Sequence, residues 1–252
     1  MRRLVLWDVD GTLVLYGGIG RSAFADAFVA FAGRTATDLD RLMITTAGRT
    51  DPDIALEFLE RHGITDGETR LDAFHAALVD ALAAKTAELR EHGRVLPGVE
   101  PALAAVAREP DVGQSLLTGN LEANAVLKLA IFGLDRYVDF SIGAYGSDHR
   151  DRGRLVDVAR AKARQRLGEE VDPADVVVIG DTPLDVAAGR AGGARVVAVA
   201  TGHFDVASLE ATEPDAVLPD LSDTAAVLRA IFGRGREAPS RPGRQGPALG
   251  RS

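Results

Sequence analysis

The chain has 252 residues, of which 46% are hydrophobic and 26% charged, the composition of an ordinary soluble globular protein of one large domain or a core with an insertion. The absence of cysteine excludes disulfides, thiolate catalysis and zinc-thiolate sites. The net charge is −8, and the last twenty residues hold five Arg and one Glu, so the first 232 carry −12, which argues against general nucleic-acid binding. The longest apolar stretches, such as Val176 to Ile179 and Val196 to Ala200, fall far short of the ~20 residues of a membrane span. Asp8 and Asp10 interrupt any signal-peptide apolar region, so a cytoplasmic location is expected. A monomer or homodimer is expected.

In chain order, a first apolar strand spans Leu4 to Asp8 and runs into "DVDGT". Residues 16–95 then read as a helical insertion, too long for a crossover and expected to form its own small domain. One helix is predicted to start at Asp51 as the N-cap, with Pro52 at the first helical position, and to run to Gly63. A second is predicted from Glu68 to His92, with Leu71, Phe74, Leu78, Leu82 and Leu89 along one face. From residue 96 to 232 strands and helices alternate, the signature of βαβ units and a parallel sheet. Strands are predicted at Gln114–Thr118, Phe140–Ala144, Val176–Gly180, Arg195–Ala200 and Ala216–Leu218. Helices are predicted near Pro101–Arg108, Leu121–Phe132, Leu155–Leu167, Pro183–Ala191 and Asp223–Phe232. The fold class is therefore α/β: a doubly wound parallel sheet made of residues 1–15 and 96–232, with an inserted α-helical cap. Residues 233–252, rich in Gly, Pro and Arg, are expected to be disordered.

Ligands bind such a sheet outside the carboxyl ends of its strands. The first strand ends in Asp8 and Asp10, two residues apart and therefore on one face. The second ends in Thr118-Gly119-Asn120, and another in Gly180-Asp181, with Asp185 one turn further on. Carboxylates crowded in this way call for a hard divalent cation, and Mg²⁺ is usually held by one or two carboxylates plus water and substrate phosphate. With the metal granted, a carboxylate nucleophile, a second acid to move a proton, and hydroxyl and backbone N–H donors for the phosphoryl oxygens compose a phosphoryl-transfer site.

These motifs resemble the haloacid dehalogenase-like hydrolase superfamily, and most closely its phosphoglycolate phosphatase-like branch with a helical cap after the first strand. The D-x-D-G-T plus G-D-x-x-x-D pair is specific, and the resemblance covers residues 3 to 232. It implies an Mg²⁺-dependent phosphatase of a small phosphate ester that works through an aspartyl-phosphate. By that resemblance Asp8 would be the nucleophile and Asp10 the general acid/base, with its carbonyl also on Mg²⁺. Asp181 would be a metal ligand, and Asp185 a second acid helping the metal or the cation. Thr118, Asn120 and Gly119 would hold phosphate.

The sequence departs from the family where a lysine is expected before the third core helix. Here stands "SDHRDRGRLVDVARAKA", and a count back from Ala161 gives the cation role to Arg152, with Arg150 and Arg154 as rivals. Lys128 lies in an amphipathic helix and reads as solvated; with Lys162 it is the fallback source of a catalytic cation. Arg49, in "GRTD", is either a solvated residue at a helix start or a substrate contact from the cap. "GGIGRSA", residues 17–23, matches a dinucleotide fingerprint but does not directly follow the strand, so it reads as a hinge. The five His show no metal-ligand spacing. A phosphomutase of the same superfamily, or a weakly active homologue acting as a binding protein, is the alternative. A metal-free dehalogenase would not need Asp10 and Asp181, and a phosphoacceptor receiver module would be about half this length.

Overall fold

The computed structural model describes residues 3–233 apart from 39 and 169; the expectation for residues 234–252 lies outside the described residues. The chain begins with β1 (Arg3–Trp7), then β2 (Val14–Leu15), and enters four helices: α1 (Ile19–Ala32), α2 (Asp51–Arg61), α3 (Gly67–Ala84) and α4 (Thr86–His92). It returns through β3 (Arg94–Val95) to α5 (Val99–Val106), β4 (Val112–Leu116), α6 (Glu122–Ala130), α7 (Leu155–Leu167), β5 (Val176–Gly180), α8 (Pro183–Ala191), β6 (Arg195–Val199), α9 (Val206–Glu210), β7 (Ala216–Leu218) and α10 (Thr224–Phe232).

The main sheet has the order β4-β1-β5-β6-β7, every pair parallel. After β1 the chain goes to one neighbour, β4, and then to the other, β5, so the order reverses at β1 and a crevice opens beyond its carboxyl end. Leu4, Val5, Leu6 and Trp7 are fully buried. Val5 and Trp7 face the layer built from α5, α6 and α10, whereas Leu4 and Leu6 face α7. That two-sided burial explains an apolar run without alternation.

The helical region α1–α3 is the cap over this core. Its interior is a phenylalanine cluster, with Phe24, Phe28 and Phe74 each 5.7–6.3 Å from Phe58 between ring centroids. Cap and core are joined by two chain segments only a few residues apart in space. β2 and β3 pair antiparallel, Val14 opposite Val95 and Leu15 opposite Arg94, so the chain leaves and re-enters the core as one ribbon. Gly17 and Gly18, just beyond that ribbon, have φ of 55° and 91°, which an L side chain adopts only at a cost.

Four sequence expectations are corrected. Phe140–Ala144 is not a strand: Phe140–Ile142 forms a 3₁₀ turn, and only Ala144 bridges Leu117. The Asp139 carboxylate accepts from the Ser141 N–H and hydroxyl, and the Ser115 hydroxyl donates to the Asp139 carbonyl, which diverts this backbone from the ladder. The long helix of the cap divides at Lys85, where the Thr86 hydroxyl donates to the Ala83 carbonyl. Helix α2 is capped by Thr50 rather than Asp51, so Pro52 is its second residue. Lys128 is buried, not solvated.

Candidate active site

Three strand ends converge on the crevice. Pairing of β1 with β5 continues one residue past the strand, Asp8 N–H donating to the Ile179 carbonyl at 2.8 Å, and Asp8 is 4% exposed. The chain then turns at Gly11, whose φ of 88° and close approach to the Asp181 carboxylate leave no room for a Cβ. Thr12, next in the turn, donates to Asp181 Oδ1 at 2.9 Å and ties the end of β1 to the end of β5. Thr182 and Asp185 form a reciprocal capping box at the start of α8: Thr182 N and Oγ1 donate to Asp185 Oδ2 at 3.0 and 2.7 Å, and Asp185 N donates to Thr182 Oγ1.

Arg152 lies in the turn before α7, which Asp151 caps by accepting the Gly153 N–H. Its Nη2 donates to Asp8 Oδ1 at 2.8 Å and to Asp185 Oδ1, and its Nη1 donates to the Gly48 carbonyl of the cap at 3.0 Å. The buried Nε has no partner. Burial works against this cation, but Asp185 and Asp8 outweigh it and raise its pKa. The neighbouring arginines are elsewhere: Arg150 pairs with Glu68 on the surface, and Arg154 is exposed.

Asp8, Asp181 and Asp185 each offer a carboxylate oxygen within 4.8 Å of the others. Both oxygens of Asp185 are engaged, by Arg152 and Thr182. Asp8 and Asp181 each keep one oxygen that accepts no hydrogen bond among the described residues. Burial is the largest influence on both and raises their pKa values; Asp185 and Asp10 add to it at Asp8, Asp8 and Asp185 add to it at Asp181, while Arg152 opposes at both. Two buried oxygens that repel each other suit a divalent cation, so the donor set fits a metal.

Asp10 stands apart from this trio. Its carboxylate accepts from Lys128 Nζ at 2.7 and 2.6 Å and from Asn120 Nδ2 at 2.7 Å, and its side chain is 46% exposed. Lys128 also donates to Asn120 Oδ1 at 2.7 Å, and Asn120 Nδ2 donates to Thr118 Oγ1 at 2.8 Å. Thr118 is fully buried, and a Cβ on Gly119 would strike the Arg49 carbonyl of the cap. The sequence signal for Lys128 was a stripe: Asn120, Asn124 and Lys128 are spaced by four, and the latter two fall on one face of α6.

The cap closes the site with residues 48–51. Asp51 N–H donates to the Gly119 carbonyl at 2.7 Å, and its carboxylate accepts the Leu121 N–H at 2.9 Å. Thr50 Oγ1 donates to the Arg150 carbonyl at 2.7 Å. Burial raises the Asp51 pKa to about 6, although Lys128 and the Leu121 N–H oppose the rise. Arg49 borders the cavity, yet its guanidinium is taken up by Asp53, Glu57 and the Thr45 carbonyl within the cap. The cavity between cap and core is about 620 Å³, with the acids and Arg152 at its floor and Tyr16, Phe24, Ile54, Leu78 and Leu82 along its wall. His203 is the single histidine that lines it.

Three strand ends at a switch point, two of them bearing acids, under a helical cap, define a hydrolase of the capped α/β kind. Residues 2–193 match the model of the haloacid dehalogenase-like hydrolases, and the chain belongs to that family. It is 30% identical over 240 residues to a plasmid-encoded phosphoglycolate phosphatase of Cupriavidus necator, covering 89% of this chain and 92% of that one. It is 29% identical over 218 residues to N-acetylmuramic acid 6-phosphate phosphatase of Pseudomonas putida, covering 80% and 84%. Among solved structures, a hydrolase from Pseudomonas syringae superposes with a TM-score of 0.66 at 19% identity, over 91% of this chain and 99% of that one. No helix of the described residues is long and apolar enough to cross a membrane.

Proposed function

We propose that this protein is an Mg²⁺-dependent phosphatase that hydrolyses a small phosphorylated metabolite through an aspartyl-phosphate on Asp8, with residues 16–95 as its substrate-enclosing cap. The reading rests on one observation above all. Asp8 is nearly buried at the floor of a capped cavity, one oxygen held by Arg152 and the other free. The phosphatase names carried by the relatives point the same way, toward phosphorylated acids and sugars.

The free oxygens of Asp8 and Asp181 would hold Mg²⁺, with the Asp10 carbonyl as the resemblance implies; the metal would supply positive charge against the phosphoryl group. Asp185 would serve mainly to hold Arg152. In the first half-reaction the Asp8 oxygen that Arg152 orients attacks phosphorus, the ester P–O bond breaks, and the leaving oxygen takes a proton from Asp10. In the second, water attacks the phosphorus, its proton passes to Asp10, and the Asp8–phosphorus bond opens to release inorganic phosphate. Each half transfers one proton through the same residue, so the cycle balances. Thr118, Gly119 and Asn120 would stand at the phosphoryl oxygens together with the unpaired Nε of Arg152. The cap excludes water. Arg49, bound within the cap, would shape the pocket wall rather than grip phosphate.

Phosphate release from a panel of phosphorylated acids and sugars, with and without Mg²⁺, tests this reading. Asp8→Asn should remove all release while leaving thermal unfolding intact. A variant that keeps more than a few per cent of the rate would dismiss Asp8 as the nucleophile.

A further inference from the structure

We infer that Lys128 is the positioning residue of the proton-transfer step: its ammonium fixes the Asp10 carboxylate and the Asn120 amide in one arrangement at the cavity floor. The inference rests on the proposed role of Asp10. All three ammonium protons are used, two on the Asp10 oxygens at 2.6 and 2.7 Å and one on Asn120 Oδ1 at 2.7 Å. Asn120 Nδ2 closes the ring by donating to Asp10 Oδ2 at 2.7 Å. A half-exposed aspartate on a turn would otherwise sample several rotamers. Held from one side by Lys128 and Asn120, it presents its open side to the cavity.

The position of Lys128 is itself fixed. The Tyr16 hydroxyl, at the cap ribbon, donates to the Lys128 carbonyl at 2.5 Å, and the ammonium lies 5.7 Å from the centroid of the Tyr16 ring. The charges that face the ammonium come from three elements: Asp10 after β1, Asp51 at the start of α2, and the dipole of Asn120 before α6. Lys128 therefore stands where the acid/base residue, the phosphate loop and the cap ribbon meet, and it acts on the reaction through Asp10. Its side chain is 7% exposed, and a buried ammonium is a poor source of stability compared with an apolar side chain of similar volume. A lysine there serves the site and not the fold.

The test combines Lys128→Met, Lys128→Arg and Asp10→Asn, singly and as the Lys128→Met/Asp10→Asn pair. Rates are read on an alkyl phosphate and on p-nitrophenyl phosphate, whose leaving group needs little protonation. Lys128→Met should lower kcat on the alkyl ester by roughly 10–10²-fold, part of the ~10²–10⁴ that acid–base catalysis supplies, with KM little changed and the single-turnover release of p-nitrophenolate, which reads phosphoenzyme formation alone, largely spared. Lys128→Arg should recover part of the loss. In the Asp10→Asn background Lys128→Met should cost nothing more, since residues acting as one unit are not additive.

Equal losses on both substrates in single-turnover phosphoenzyme formation, or additive losses in the pair, would overturn the inference and make Lys128 a general structural residue. A rise in KM alone would overturn it in favour of direct substrate contact. If Asp10→Asn cripples turnover and Lys128→Met is silent, the inference fails while the phosphatase reading stands. If Asp10→Asn is silent, that reading of Asp10 fails first. A crystal structure of Lys128→Met decides the positioning independently of activity: the Asp10 carboxylate should leave Asn120 or spread over several rotamers, and an unmoved carboxylate overturns the proposal.

Discussion

Arg152 and Asp8 are 2.8 Å apart through Nη2 and Oδ1, with side chains 9% and 6% exposed. The same nitrogen reaches Asp185, so one guanidinium bridges the end of β1 and the start of α8. Because Nη1 holds the cap at the Gly48 carbonyl, the fork does two jobs from two nitrogens. Arg152→Ala should lower kcat/KM by roughly 10²–10³-fold, comparable to the loss of an oxyanion donor at ~2.7–4 kcal/mol. Arg152→Lys should keep the charge near Asp8 and give up the tie to Gly48, so its kcat should exceed that of Arg152→Ala and its KM should rise. Arg150→Ala and Arg154→Ala should stay within about twofold of wild type in steady-state assays. A silent Arg152→Ala would show that the cation comes from elsewhere.

The Asp8 charge works against ionisation of the buried Asp181, so a divalent cation bound between them should stabilise the folded protein. Titrating Mg²⁺ should raise the unfolding temperature progressively with concentration, since a ligand that binds only the folded state stabilises it by mass action. Asp181→Asn should flatten that response and abolish metal-dependent turnover. Differential scanning fluorimetry with and without a chelator reads the first effect, and phosphate release the second. No Mg²⁺ response in wild type would remove the metal from the site.

The core was legible because its strands are buried on both faces and its acids stand at strand ends. Val176–Gly180, Leu155–Leu167 and Pro183–Ala191 have the bounds expected from apolar runs and the Pro signal. Asp8, Asp10, Thr118, Asn120, Asp181 and Asp185 could be gathered on paper because chain order alone brings parallel strand ends together. What could not be read depends on contacts between distant segments. Asp51 looked like a helix cap from its place before Pro52, yet its carboxylate reaches Leu121, seventy residues on. Lys128 looked solvated because one amphipathic helix cannot reveal that a neighbouring loop brings an aspartate under it. Phe140–Ala144 had strand-like residues, and side-chain bonds from Ser115 and Asp139 to nearby backbone took it out of the sheet.

Gly119 marks where cap and core backbones touch. Its missing Cβ makes room for the Arg49 carbonyl and the Thr50 backbone, and the same contact carries the hydrogen bond from Asp51 N–H to the Gly119 carbonyl. Gly119→Ala should push residues 48–51 off the core without harming the buried sheet. The expected result is faster hydrogen exchange at Thr50 and Asp51, a clear loss of kcat/KM, and an unfolding temperature within a few degrees of wild type. Unchanged exchange at those amides would mean the contact can yield at no cost.

Asp51 gives the protein a pH-dependent term whose sign can be worked out. Its folded pKa is about 6, against roughly 3.9 for an unperturbed aspartate, so the folded state binds the proton more tightly than the unfolded state does. The resulting stabilisation is present below about pH 4 and is lost as the pH rises through 6, where the carboxylate ionises against burial. The shift of about two units corresponds to ~2–3 kcal/mol at most, and the partial exposure of Asp51 reduces this to ~1–2 kcal/mol. Asp51→Asn removes the ionisation while its carbonyl oxygen can still accept the Leu121 N–H. The variant should therefore come closest to wild type below about pH 4, gain on it from there, and become more stable above pH 7, by roughly 2–8 °C in unfolding temperature for a chain of this size. Taking the difference between the two proteins cancels the titration of Asp8 and Asp181, which both share. A difference that is constant across pH 4.5–8, or a wild type that is the more stable protein at pH 8, would show that the bond to Leu121 and the nearby Lys128 outweigh burial at Asp51.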